Sequence, residues 1–450
     1  MTAEPESNTP GEPETSAPVG GGVDPGDGVA QQVVSGGVIR TVGFAITNLI
    51  ALVAAIILAR YLSPADFGRY GSVMALITII YGITDGGLNT VGTRELSLRP
   101  AGDERRALVG VLLGIRMLLS AIGVGLAVLI ALGLSFSTTM IIGTAIAGIG
   151  AVGTAAFSTL TLPALVELKN LRLLSVEVAR QIVQLIATLV AVAAGYGLIA
   201  FYGVQAVVGP AVVVLLPVLI GAGVLVRPRY ARAEWVHMVR VALPIAVAGV
   251  LSTIYTKVTV LVGSQTLLPG DQGLLVMTTR ATEILSGLPL LVVGVALPVV
   301  SLAARDDRDR LRYVGQRLLE SAMILGILIS LPLSFGAKTV LQILGGDEFV
   351  SAAPALQIQA WVLLTVFVVQ GGVVLLIALH RHRQIVIANT VGLTTVFVAG
   401  AILLPAYGVK GGSIAIVGAD AVLAILTLAF VNTGDFRREL SFGAAPRILA

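Results

Sequence analysis

Six charged residues lie inside long apolar runs, where charge should be rare. They are Asp85, Arg116, Lys257, Arg280, Glu283 and Asp420. A charge in hydrocarbon is costly, so such residues as a rule face a water-filled cavity or pair with one another. Arg280 and Glu283 are three apart and share one helix face. Lys257 falls on the preceding run at comparable depth, which predicts a cluster of Lys257, Arg280 and Glu283. Arg116 and Asp85 belong to earlier runs. The chemistry open to such a set is electrostatic. Arg116, Lys257 and Arg280 are candidates to hold an anionic headgroup. Asp85, Glu283 and Asp420 are candidates to balance them or to take up a coupling ion. The alternative is purely structural: Arg280 and Glu283 neutralise each other and Lys257 snorkels. Asn48, Asn89, Gln184, Gln265, Gln370 and Asn389 add neutral polar groups that either bond ligand hydroxyls or join helices.

Covalent chemistry finds little support. The chain has no Cys and three His, so disulfides, haem attachment and a metal site are not expected. His380-Arg381-His382-Arg383 reads as a basic anchor. There is no G-x-x-x-x-G-K-[ST], G-x-S-x-G or H-E-x-x-H. Gly148-x-Gly150-x-x-Gly153 matches a dinucleotide pattern by letters, but lies mid-run with no strand before it and predicts helix packing. No cofactor and no catalytic residue are expected.

The elements that must position these charges follow from composition. Of 450 residues, 56% are hydrophobic and 12% charged, with mean hydropathy +0.96. Soluble domains carry about 25% charged residues. Half that, with repeated apolar runs of about 20 residues or more, places most of the chain in lipid. Backbone groups there must be satisfied within each segment, so an all-α polytopic membrane protein is predicted. Twelve helices are read at 38–60, 68–92, 106–133, 139–163, 174–196, 200–226, 241–267, 273–302, 313–335, 353–379, 384–405 and 411–431.

Charge distribution orients them. With the N-terminus inside, 22 of the 29 Lys and Arg fall on inner loops and ends, and four on outer loops. The +4 net charge therefore follows membrane topology and does not imply nucleic acid. The outer loops are short and nearly featureless. Residues 1–37, rich in Pro, Gly and Glu, read as a disordered cytoplasmic tail, and 432–450 as a second.

Ser63-Pro64-Ala65-Asp66-Phe67-Gly68 after the first helix is echoed by Leu268-Pro269-Gly270-Asp271-Gln272-Gly273 after the seventh, at an offset of 205. Tyr196-Gly197 and Tyr407-Gly408 recur at 211. Six helices separate the equivalents, so the halves share an orientation. Two six-helix bundles are predicted, 38–226 and 241–431, related by a pseudo-two-fold along the membrane normal and joined by a cytoplasmic linker at 227–240. Gly82-x-x-x-Gly86 and Gly110-x-x-x-Gly114 predict close approach of helix backbones.

Certain stretches resemble a known family. Arg60 to Tyr70, then Asp85-Gly86-Gly87-Leu88 and Arg94-Glu95-Leu96, look like the opening of the polysaccharide-biosynthesis oligosaccharide flippases of the multidrug/oligosaccharidyl-lipid/polysaccharide exporter superfamily. Leu344 to Phe349 with Ala352 to Leu356, and Leu404 to Gly412, resemble that family's links between helices 9 and 10 and between 11 and 12. The resemblance covers about residues 35–435. It implies flipping of undecaprenyl-pyrophosphate-linked sugar units across the cytoplasmic membrane by alternating access, through a cavity lined with cations. Lipid-linked oligosaccharide, membrane lipids and the pathway's glycosyltransferases and polymerase are the implied partners. Where many relatives carry an acidic residue in helix 7, this chain has Thr256-Lys257-Val258-Thr259. An ion-coupled multidrug exporter of the same fold is the alternative, and its cavity should favour unpaired carboxylates. A membrane polymerase or ligase would need a larger outer loop than this chain offers.

Overall fold

The computed structural model describes residue 43 and residues 45–289, 296–297, 300–303 and 308–432. The expected tail at 1–37 lies outside them, as does all but the first residue of 432–450. The described residues form helices and no strand. In chain order these are α1 (Ala45–Tyr61), α2 (Pro64–Asp85), α3 (Leu88–Leu98), α4 (Asp103–Gly133), α5 (Thr138–Leu160), α6 (Leu162–Val166), α7 (Asn170–Ala193) and α8 (Leu198–Leu219) in the first half. The second half holds α9 (Arg232–Thr266), α10 (Pro269–Leu285), α11 (Arg308–Phe335), α12 (Ala337–Gly345), α13 (Ala353–Gln359), α14 (Val362–Ala378) and α15 (His382–Val431).

Nine described stretches are long and apolar enough to cross a membrane. The shorter apolar α1 adds one, and α10, which carries Arg280 and Glu283, is read as another. The 50-residue α15 counts twice, because Gly408 breaks it with φ 59° and ψ −139°, shortly after Pro405. About twelve spans result. The break falls within the gap that the sequence places between helices ending at 405 and starting at 411.

Local chemistry sets the ends that matter. α2 begins with Ser63 Oγ accepting the Asp66 amide at 3.3 Å, Pro64 in the first turn, and Asp66 near the positive helix end. It ends where Gly86 and Gly87 both adopt left-handed φ, 45° and 71°. Two successive left-handed residues suit glycine and no branched side chain. The second span, expected to be continuous over 68–92, is therefore split, and α3 leaves at a new angle.

Within the first half, α5 packs on both α4 and α8, and α7 on α8. A Cβ on Gly150 would lie 2.1 Å from the Gln205 carbonyl oxygen, and one on Gly209 2.6 Å from that of Gly150. Of the dinucleotide-like glycines, Gly150 and Gly153 thus form a close helix contact with the backbone of α8, while Gly148 seats the Val124 side chain of α4. Gly110 and Gly114 serve differently from expectation. They seat the extended chain before α9, with the Arg229 amide donating to the Gly110 carbonyl at 2.8 Å. Only the first part of the 227–240 segment is extended; α9 is helical from Arg232. In the second half α15 packs on α9 and α14, and α14 on α11.

The halves meet through α2, which lies against α9 and α10. The echoed motifs touch each other reciprocally. A Cβ on Gly68 would lie 2.6 Å from the Gly273 amide nitrogen, and one on Gly273 1.8 Å from the Pro64 carbonyl oxygen. Around this crossing, Gln272 Nε2 donates to Ser72 Oγ at 2.9 Å and Phe67 meets Phe349 edge-on at 5.6 Å. Arg60 donates to the carbonyls of Gln342 and Ile343 at 2.9–3.3 Å. Those carbonyls belong to α12, a helix in a loop that sequence reading takes as featureless. Its nine residues are too short to register as a span.

Candidate functional site

The six intramembrane charges separate into three groups. In the first half, Arg116 on α4 is 1% exposed. Its Nη2 pairs with Asp85 Oδ1 at 2.7 Å. Nη1 donates to Asn89 Oδ1 at 2.6 Å, Ser158 Oγ at 2.7 Å and Thr159 Oγ1 at 3.2 Å. Nη2 also reaches the Tyr81 hydroxyl at 3.3 Å. Asn89 Nδ2 donates in turn to Asp85 Oδ1 at 2.8 Å. One guanidinium therefore ties together α2, α3, α4 and α5. It does so at the glycine break, since Asp85 precedes Gly86 and Asn89 follows Gly87. Both Nη atoms of the guanidinium are engaged, while its Nε is buried without a hydrogen-bond partner among the described residues. Sequence reading takes Arg116 as a headgroup contact; the structure buries it among these partners, of which that reading singled out only Asp85 and Asn89.

The second group is the expected cluster. Lys257 Nζ on α9 pairs with Glu283 Oε1, and Arg280 Nη1 lies 3.5 Å from Glu283 Oε2. Arg280 is half exposed, at 50% of its side chain, against 1% for Arg116. Two cations share one carboxylate, which leaves one positive charge in excess. Arg280 and Glu283 line a cavity of about 210 Å³ whose opposite wall is α1, through Asn48, Ala51, Leu52 and Ala55. The cavity lies between the halves, with a hydrogen-bonding fork on one side and, on the other, α1 with three apolar lining residues and Asn48. The remaining pair stands apart: Asp420, 4% exposed, accepts from the Tyr255 hydroxyl. It ties α15 to α9 through Tyr255, two residues before Lys257, and it is not among the residues lining the cavity.

Sequence reading missed the hydroxyl partners because Tyr81, Ser158, Thr159 and Tyr255 carry no charge to mark them. It also missed a buried chain at the centre of the second half. Ser413 Oγ donates to Gln359 Oε1, and Gln359 Nε2 to Thr282 Oγ1, both at 3.1 Å. Among the described residues no group of His, Cys, Asp and Glu is arranged to hold a metal.

Two lobes of membrane-spanning helices with charged groups at their junction define a polytopic integral membrane protein. Residues 57–354 match the model of a family described as polysaccharide biosynthesis protein, and the chain belongs to that family. Solved structures share the fold. The lipid II flippase MurJ in an inward closed conformation aligns at TM-score 0.72 and 16% identity, over 88% of each chain. An inward-facing multidrug resistance MATE transporter of the MOP superfamily aligns at 0.70 and 14%, over 88% of this chain and 97% of its own. A MOP superfamily transporter from Pyrococcus furiosus, described with a binding pocket of reverse polarity, aligns at 0.58 and 13%, over 89% and 94%. No curated protein matches by sequence.

Proposed function

We propose that this chain flips lipid-linked (undecaprenyl-pyrophosphate) oligosaccharide or polysaccharide repeat units across the cytoplasmic membrane by alternating access of its lobes. The observation that carries this reading is the positive excess of Lys257, Arg280 and Glu283 at the cavity between lobes. A pyrophosphate is a divalent-or-greater anion with many acceptor oxygens, and an arginine fork binds such groups with charge-assisted bonds. The apolar residues Ala51, Leu52 and Ala55 of α1 suit the prenyl chain beside it. Family membership supports the same reading. Both termini lie in the cytoplasm on this view, which places the Gly68–Gly273 crossing at the outer end. Contacts between lobes then close the outer side while the substrate enters from within. Glycosyltransferases on the inside and a polymerase outside are the implied neighbours in the pathway.

A cation exporter of the multidrug type is the second reading, favoured by the structural likeness to such a transporter. Its cavity would want an unpaired carboxylate. Here Glu283 is held by two cations and Asp85 and Asp420 are held by Arg116 and Tyr255. The experiment is reconstitution in proteoliposomes. Time-dependent movement of lipid-linked oligosaccharide to the opposite leaflet is expected, without efflux of lipophilic cations. Cation efflux without lipid movement would reverse the order of the two readings.

A further inference from the structure

A second pocket, of about 460 Å³, opens in the first half between α3, α5, α6 and α7. It shares no lining residue with the cavity at Arg280. Its size falls in the range of small-ligand sites, which are mostly apolar with a few placed polar groups. Phe157, Leu162 and Leu165 supply the apolar part here. The polar part has a definite character. The Thr93 hydroxyl donates to the Asn89 carbonyl at 2.8 Å, and the Thr161 hydroxyl to the Ser158 carbonyl at 3.0 Å. Each hydroxyl proton is spent on its own chain, so oxygen lone pairs remain for a ligand. Asn89, Thr90, Ser158 and Glu177 are the other polar lining residues; both Glu177 oxygens accept from Arg180, and no cationic side chain is itself among the described lining residues. The hydroxyl lone pairs of such a wall suit a neutral group rich in O–H and N–H donors.

The wall is also rigid. Asn89 and Ser158, which line the pocket, are the two shortest partners of Arg116 Nη1. The buried guanidinium thus fixes two pocket residues from behind, which gives the Arg116 cluster a role the cavity at Arg280 does not explain. α7, which supplies the lining residues Leu173 and Glu177, also touches Gly43, just ahead of α1, through Leu174. α1 forms the far wall of the Arg280 cavity.

Resting on the proposed function, we infer that this pocket is the glycan subsite: it receives the sugar hydroxyls while the lipid-borne pyrophosphate sits at Arg280. The test uses the full chain in detergent and two probes. One is undecaprenyl pyrophosphate without sugar. The other is the lipid-linked glycan extracted from cells that lack this chain and so accumulate it. The parent should bind the glycan-bearing probe about tenfold more tightly than the bare one, as two or so net hydrogen bonds would give. In Thr93→Val/Thr161→Val that preference should shrink to about threefold or less, with bare-probe binding unchanged as the sign of an intact fold. If the double variant loses bare-probe binding, Thr161→Val alone repeats the comparison, and loss there too assigns these threonines to the fold and overturns the inference. So does a parent with no preference between probes, or a double variant that keeps it. Displacement of tetraphenylphosphonium from the pocket by the same substitutions would assign it to cations and overturn the inference as well. A parent that binds neither probe removes the flippase reading itself.

Discussion

The two halves carry ion pairs at similar places in their helices and use them in opposite ways. Arg116 and Asp85 form a closed set: the cation is buried, its charge is matched, and its amino groups are engaged by residues of three other helices. Lys257, Arg280 and Glu283 form an open set: two cations divide one carboxylate, and Arg280 keeps half its surface free at a cavity. A closed set specifies geometry, and its removal should show in stability. An open set holds charge in reserve for a ligand, and its removal should show in binding.

The sharpest way to break that contrast is Arg116→Met. It strands Asp85 and the amide and hydroxyl groups around it. Breaking a buried pair by removing one partner costs about 3–5 kcal/mol. Thermal unfolding of the purified protein should shift down accordingly, and Arg116→Met/Asp85→Leu should recover part of the loss. An unchanged Tm for the single variant would mean that the closed set holds nothing together.

Next comes the crossing where the lobes meet. A Cβ at position 273 would lie 1.8 Å from a backbone oxygen, which no side-chain motion relieves. Gly273→Val should therefore force the crossing apart. The chain has no native Cys, so an Arg60→Cys/Ile343→Cys pair can report on this directly. Cross-linking should be efficient in the parent background and fall by about an order of magnitude with Gly273→Val. Equal cross-linking in both would show that the crossing yields without opening.

The smallest expected effect is Glu283→Gln. It removes the shared carboxylate and leaves both cations uncompensated. Binding of undecaprenyl pyrophosphate should tighten by a few-fold, since a half-exposed ion pair is worth about 0–1 kcal/mol. Weaker binding would make Glu283 a ligand contact and not a counter-charge.

Much of this architecture was legible in the sequence because lipid leaves so few options. Apolar runs read as helices, and the Pro-x-Asp-x-Gly echo marked the two points at which the lobes touch. The cluster of Lys257, Arg280 and Glu283 was legible from helix spacing alone. What escaped was set by tertiary contact. Gly86-Gly87 reads as ordinary small-residue packing until its dihedral angles show a break. Gly110 and Gly114 read as a helix–helix motif, yet they receive an extended segment some 115–120 residues later in the chain. Arg116 reads as a free cation because its hydroxyl partners on α2 and α5 look, in sequence, like any Ser, Thr or Tyr of a membrane helix.

The most direct test of the account is translocation of lipid-linked oligosaccharide in proteoliposomes by Arg280→Gln beside the parent chain. The variant should unfold at the same temperature as the parent and move the lipid at least about tenfold more slowly, as loss of a charge-assisted bond to the substrate requires. Parental rates at parental stability would contradict the claim that the open set carries the substrate.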